Sequence, residues 1–148
     1  MAQLTVPEKP IDVRPFATKF LASAGLDAMC WEDDAVPGTY CWQLDTRGSS
    51  AKITFVPENG RMQVCYEFKM QSNIRPNNNV LAYSFLEKIK SDATAKGWDV
   101  KHTDTSFIIS HNYALQDNFT KDSAMLADIH KIAAKYAWDR CTHGAMTW

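Results

Sequence analysis

The sequence lacks the features that direct a chain to a membrane or to nucleic acid. No stretch approaches the roughly 20 consecutive apolar residues of a membrane span. The first 15 residues contain three prolines but no apolar segment of a secretory signal. The formal net charge of -1 gives no strong field of either sign, and the basic residues are scattered along the chain. We therefore expect a cytoplasmic protein that binds neither a membrane nor nucleic acid.

Cysteine and recognisable catalytic motifs are also scarce. The four cysteines, Cys30, Cys41, Cys65 and Cys141, stand far apart at irregular spacings, so we expect free thiols in a reducing compartment. The chain contains no Gly-x-Ser-x-Gly, no phosphate-binding loop, no dinucleotide fingerprint and no zinc-helix motif. We therefore predict no cofactor and no metal.

The length and composition are those of one globular domain. At 148 residues, with 45% hydrophobic and 22% charged residues, the chain can bury a core without disulfides or metals. Prolines at positions 7 and 10 predict an extended lead-in over residues 1–14. Residues 15–148 are then predicted to form a single α+β domain.

Apolar and polar residues alternate with a period of two between Tyr40 and Met70. Successive side chains of a strand point to opposite faces of a sheet, so this alternation predicts a meander with one apolar and one polar face. The apolar positions are Tyr40, Trp42, Leu44, Ala51, Ile53, Phe55, Met62, Val64, Tyr66 and Phe68. The polar face includes Gln63, Cys65, Glu67 and Lys69.

Helical periodicity surrounds this meander. Helices are predicted over residues 15–24, 80–96 and 121–139, with Asn78 or Asn79 and then Thr120 as N-caps. Residues 28–34 suit a short strand or an irregular edge, residues 98–111 a second hairpin, and residues 140–148 a short tail. The prediction is a two-layer α+β fold in the order α-β-β-β-α-β-β-α. Its antiparallel meander sheet carries helices on one face only.

Two pairs of residues could carry chemistry. Cys141 and His143 could form part of a metal or nucleophile site, but an ordinary helix C-terminus is the favoured interpretation. His102 and His111, on adjoining strands of one hairpin, could face each other as metal ligands or as acid and base. The favoured interpretation is that both are simple surface or rim histidines, because no carboxylate is placed by the sequence to orient either ring.

Other polar and aromatic residues suggest contacts with a partner. The acidic run Glu32, Asp33 and Asp34 lacks the staggered spacing of a calcium loop, so a solvated turn is expected. Arg75, before three consecutive asparagines, belongs to turn and cap chemistry or to a partner-binding loop. The alternation places Trp42 and Trp98 in the core, whereas Trp31, Trp138 and Trp148 are less constrained and are candidate interface anchors; a disordered tail is an equal alternative for Trp148.

The predicted order of elements resembles that of the class I type III secretion chaperones and the related YbjN-like sensory-regulator proteins. The resemblance covers roughly residues 15–139. It rests on the helices Phe16–Ala24, Val80–Lys96 and Thr120–Asp139, the meander Tyr40–Met70 and the hairpin Trp98–His111. It implies a small cytoplasmic dimer that binds a polypeptide. No site residue carries over, because no sequence motif takes part in the match.

These observations favour a non-enzymatic protein-binding module that holds a polypeptide partner or a second copy of itself. The predicted contact residues are Gln63, Cys65, Glu67, Lys69, Arg75, Trp31 and Trp148. One alternative is an immunity or inhibitor protein that blocks a toxin or an enzyme. A second alternative is a small enzyme that uses His102 with His111 or Cys141 with His143.

Overall fold

The computed structural model describes residues 13–26, 30–32, 37–46, 48–58, 61–71, 80–114 and 118–146. In these ranges three helices and six strands follow one another along the chain. The elements are α1 (Arg14–Ser23), β1 (Trp31–Glu32), β2 (Tyr40–Thr46), β3 (Ser49–Glu58), β4 (Arg61–Met70), α2 (Tyr83–Thr94), β5 (Asp99–His102), β6 (Ser106–Tyr113) and α3 (Thr120–Met146). The strands form one antiparallel sheet in the order β1-β2-β3-β4-β6-β5. The predicted α+β class is confirmed, and β1 adds a fourth strand before α2.

The sheet has two different faces, as the alternation predicts. The inner face carries the core, and its side chains from β3, β4 and β6 are almost fully buried. They include Ile53, Phe55, Met62, Val64, Tyr66, Phe68, Phe107 and Ile109. The residues between them point to the opposite side, which we call the outer face. Gln63, Cys65 and Glu67 are half-buried there, and Lys69 is exposed.

Two positions near the β1 edge of the sheet depart from the alternation. Leu44 shares the inner side with Trp42 but is 42% exposed, because no described helix extends over it. Cys41 lies on the outer side but is only 4% exposed. It pairs directly with Trp31 of β1, so a large indole stands beside a small thiol.

All three helices pack on the inner face. Ring contacts join Phe20 of α1 to Phe55, and Phe85 of α2 to Phe68 and Phe107. His130 of α3 contacts Trp42 and Tyr66. No helix among the described residues is long and apolar enough to cross a bilayer.

The helix boundaries differ from the predicted ones where tertiary contacts act. α2 begins at Tyr83 with Ala82 as its N-cap, so the predicted cap at Asn78 or Asn79 is wrong; both asparagines lie outside the described residues. The Ala82 N–H donates instead to Tyr136 Oη at 2.8 Å, so a side chain from α3 performs the capping.

The predicted tail after residue 139 is also wrong, because α3 continues to Met146. Ala137 extends the buried stripe of this helix by a further turn. Arg140 then donates from Nη2 to the Val80 carbonyl oxygen at 2.7 Å. At its start, the N–H of Thr120 donates to Asn118 Oδ1 at 2.9 Å, so Asn118 rather than Thr120 supplies the capping side chain.

Candidate protein-binding surface

The outer face is continuous across the sheet. Four of the predicted contact residues, Gln63, Cys65, Glu67 and Lys69, occupy it along β4, which pairs with β3 on one side and β6 on the other. Register pairing then aligns outer-face residues in rows. One row runs Trp31, Cys41, Thr54, Cys65, Ser110 and Asp99 across all six strands. The next runs Gln43, Lys52, Glu67, Ile108 and Lys101.

Small uncharged side chains fill the middle of the first row, and charges surround them. Thr54, Cys65 and Ser110 are half-buried and project little from the sheet. Four cations and three anions with described side chains lie on the face around them. The cations are Lys52, Arg61, Lys69 and Lys101, and the anions are Asp45, Glu67 and Asp99. Arg61 is the register partner of Glu58 in β3. The surface is therefore polar but close to neutral in total charge.

Lys52 and Glu67 are the central charges of this face. They are directly opposite each other in the pairing of β3 with β4. Even so, neither takes part in an ion pair or a hydrogen bond between the described side chains. Both charged groups are therefore available to an incoming partner.

Neighbouring residues shift the pKa values of two groups on the outer face. Burial raises the pKa of the Cys65 thiol; the Glu67 carboxylate adds to the rise and Lys52 opposes it. Cys65 is consequently protonated at neutral pH and a poor nucleophile. Hydrogen bonds from the Gln43 and Ser50 side chains lower the pKa of Asp45, so that its carboxylate stays ionised.

The margins of the face carry one of the predicted aromatic anchors. The Trp31 indole, at the β1 edge, is 48% exposed. Its neighbour Glu32 accepts a hydrogen bond from the Gly38 N–H at 2.9 Å, which assigns that carboxylate to the turn before β2. Arg75 and Trp148, also predicted as contact residues, lie outside the described residues, as do Asp33 and Asp34.

The structure does not bring His102 and His111 together. His102 pairs with Phe107, so the two histidines are separated along the hairpin by four residues, or about 13 Å. His102 is exposed. His111 donates from Nδ1 to the Gly97 carbonyl at 3.2 Å, and its ring stacks on Trp98 with a centroid distance of 5.5 Å. The less favoured arrangement, in which the two rings face each other, is therefore wrong.

Cys141 and His143 fall within the backbone of α3, and their side chains lie outside the described part of the structure. Among the side chains that are described, no three histidine, cysteine or acidic groups cluster closely enough to hold a metal ion. No disulfide joins Cys30, Cys41 and Cys65.

One polar pair on the inner face escaped the sequence-based prediction. Tyr66 Oη and His130 Nδ1 are hydrogen bonded at 2.9 Å, and the Trp42 ring meets the imidazole edge to face. Burial lowers the pKa of His130 and raises that of the fully buried Tyr66, so both groups are neutral near pH 7. Only the helical periodicity could have pointed to His130, because its partner is 64 residues away.

A shallow cleft between α2 and α3 was also missed. Its apolar lining comes from Ala95, Ala124 and Met125. Two aspartates and two lysines, Asp92, Lys96, Lys121 and Asp128, line it. Opposite charges stand side by side, and Asp92 is paired with Lys88 at 3.4 Å, so the cleft favours no single ligand class.

Comparison of the chain with models of known protein families and with curated proteins finds no match in either case.

Proposed function

We propose that this protein is a non-enzymatic binding module, chaperone-like or regulatory, that holds a polypeptide partner or a second copy of itself through the outer face. The observation that carries the proposal is the one-sided covering of the sheet. Three helices pack on the inner face, whereas no described element packs on the outer one. A broad face of half-buried side chains is suited to a protein contact.

The chemistry of the outer face supports this function. Its centre is built of small uncharged side chains, which allow close approach of another backbone, and its charges are arranged around them. An exposed aromatic, Trp31, stands at the β1 margin, and tryptophan is enriched among the residues that anchor interfaces. The sheet edge at β5 is short and carries Asp99 and Lys101, features that discourage edge-to-edge pairing. A contact through the face is therefore favoured over one through this edge.

The arrangement of the candidate nucleophiles and bases supports a role without catalysis. His102 and His111 stand about 13 Å apart along their hairpin. The raised pKa of Cys65 keeps its thiol protonated. The inner-face pair Tyr66 and His130 lies under α3, where it serves packing.

The order of elements supports the same proposal through its resemblance to secretion chaperones and YbjN-like regulators. That resemblance implies a polypeptide as the bound species and a dimer as the active form. Secretion chaperones are typically acidic, whereas this chain has a net charge of -1. The difference favours the regulatory form of the proposal over the strictly chaperone form.

The test compares two threonine-to-arginine variants. Thr54→Arg places a long cation at the centre of the outer face, and Thr18→Arg places the same side chain on the exposed side of α1. Tagged wild type and both variants are expressed in the source cells and purified. Mass spectrometry quantifies the co-purified proteins, and light scattering measures the mass of each complex. We expect a stoichiometric partner or a second copy that T54R loses and T18R keeps.

A strict monomer that captures nothing would overturn the proposal, as would a partner that T54R retains. A single stoichiometric enzyme or toxin that loses activity in the complex would identify the module as an inhibitor or immunity protein.

A further inference from the structure

We infer that the outer face binds the outer face of a second copy of this chain, related by a two-fold axis that runs parallel to the strands between β3 and β4. This inference rests on the proposed function and names its partner. The observation behind it is that the charges of the outer face become complementary to themselves under this one rotation.

The rotation places β3 of one copy over β4 of the other. Lys52 and Glu67 are register partners, so each Lys52 then faces the second copy's Glu67. The contact occurs twice, because the axis relates the two copies. Two central charges that find no partner within the described residues thus each gain one of opposite sign.

The other charged residues of the outer face also come to lie opposite neutral or oppositely charged residues of the second copy. Asp45 of β2 comes to lie over the second copy's Ser106, because β2 is placed over β6. The second copy's Lys69 is then displaced sideways by only one strand spacing, about 4.8 Å, across the gap of about 10 Å between the two sheets, and the long side chains of the facing residues project into that gap. Asp99 at one margin comes to lie over the second copy's Trp31 at the other. Arg61 comes to lie over the position of the second copy's Glu58, because the two residues are register partners. The rotation therefore brings no two like charges into direct opposition.

The middle of the face allows the approach that this arrangement requires. Sheets packed face to face are about 10 Å apart, which leaves room for small side chains at the centre. Thr54 of one copy faces the second copy's Cys65 there. The two largest apolar residues of the outer face, Trp31 and Ile108, lie away from the axis on β1 and β6, whereas the smaller Val56 lies beside it on β3.

The area is sufficient for a reversible dimer. The four strands β2, β3, β4 and β6 span about 20 Å across and about 27 Å along the strands, so the two faces together bury roughly 1,100 Å². That value is at the lower end of specific interfaces and is typical of exchangeable rather than permanent association. The near balance of cations and anions also suits a second copy better than a strongly charged partner.

Reciprocal charge exchange tests the inference. Lys52→Glu and Glu67→Lys each place like charges against each other at two symmetric positions, and the double variant K52E/E67K restores opposite charges with their places exchanged. Sedimentation velocity over a range of concentrations measures the dimer dissociation constant. Each single variant should raise it at least about ten-fold, and the double variant should return to within about three-fold of wild type.

Matched controls carry the same charge changes on the helical side of the molecule. Lys131→Glu and Glu87→Lys alter exposed residues of α3 and α2, and neither should change the dissociation constant by more than about two-fold. Urea denaturation checks that every variant is folded. If an exchange variant unfolds, Lys52→Gln and Glu67→Gln replace it, and each should weaken the dimer by about two- to five-fold.

Three results would overturn the inference. These are a monomer at every concentration, a dimer indifferent to both single exchanges, and a double variant that stays as weak as the singles. Each leaves the proposed function distinguishable, because a different partner of the outer face would still be lost on Thr54→Arg. If T54R keeps both the dimer and any other partner, the inference and the proposed function are both overturned.

Discussion

Replacing Phe68 with alanine tests the assignment of the two sheet faces, because its neighbour Glu67 points to the opposite side. Phe68 is 1% exposed, and its ring centroid lies 5.4 Å from that of Phe107 and 6.4 Å from that of Phe85. Truncating a buried phenylalanine removes its transfer free energy and leaves a cavity, at a cost of about 3–5 kcal/mol. A domain has about 5–15 kcal/mol of stability in total, so Phe68→Ala should fold but unfold at much lower urea concentration.

The matched substitution Glu67→Ala should change the free energy of unfolding by no more than about 0.5 kcal/mol, because this half-buried carboxylate has no partner among the described residues. Urea titration followed by tryptophan fluorescence gives both values. The titration uses dilute protein, so that the outer face is exposed to solvent and not covered by a second copy. Phe68→Leu serves as the control and should recover more than half of the loss, since most of the buried volume returns.

A cost below about 1 kcal/mol for F68A would refute the two-face assignment, as would a loss in E67A comparable to that in F68A. Either result would mean that Phe68 is not enclosed by the helices, or that the strand register is shifted by one residue. A shift of that kind would exchange the two faces completely.

Three further predictions concern single contacts. Burial lowers the pKa of His130, so stability should be complete above about pH 6.5 and fall below it by up to about 1.4 kcal/mol per pH unit. His130→Gln should remove that part of the pH dependence in urea titrations between pH 7.5 and 5, and identical profiles would contradict it. Glu67→Gln should speed the labelling of Cys65 by iodoacetamide at pH 8, because the Glu67 charge raises the thiol pKa. Peptide mass spectrometry measures the labelling rate, and slower labelling would show that the carboxylate does not raise the thiol pKa. Tyr136→Phe removes the acceptor for the Ala82 N–H and should cost about 1–2 kcal/mol in urea denaturation. A cost under about 0.3 kcal/mol would mean that water replaces this cap without loss.

The alternation along β4 could be predicted from the sequence because it is a local property. Each residue's side depends only on its place in the strand, so Tyr66 and Phe68 were assignable to the core and Cys65 and Glu67 to the polar face. The helices were found in the same way from their apolar periodicity. The fold class followed from these local patterns together.

Features that depend on distant parts of the chain could not be predicted. The cap of α2 comes from Tyr136, 54 residues away from Ala82, whereas the local signal pointed to asparagines. Near the end of α3, Arg140 reaches back 60 residues to the Val80 carbonyl. The helix also includes Gly144, although glycine has a low intrinsic preference for helix interiors.

The candidate site could be predicted only in part for the same reason, because it depends on the order in which distant strands pair. The sequence placed Cys65 on a polar face but gave no means to know that Thr54 and Ser110 lie on either side of it. The rows of residues across the sheet, and with them the central pair Lys52 and Glu67, exist only once the register is known. Residues of one strand were therefore predictable as contacts, whereas the surface that they form was not.

The central claim is that the outer face is where this protein meets its partner, and methyl NMR tests it most directly. Ile108 and Ile109 are adjacent on β6, with Ile108 half-buried on the outer face and Ile109 buried on the inner one. As partner or protein concentration rises, the Ile108 methyl signal should shift or broaden while that of Ile109 stays in place. A titration that moves the methyl groups of α2 or α3 and leaves Ile108 unchanged would contradict the claim.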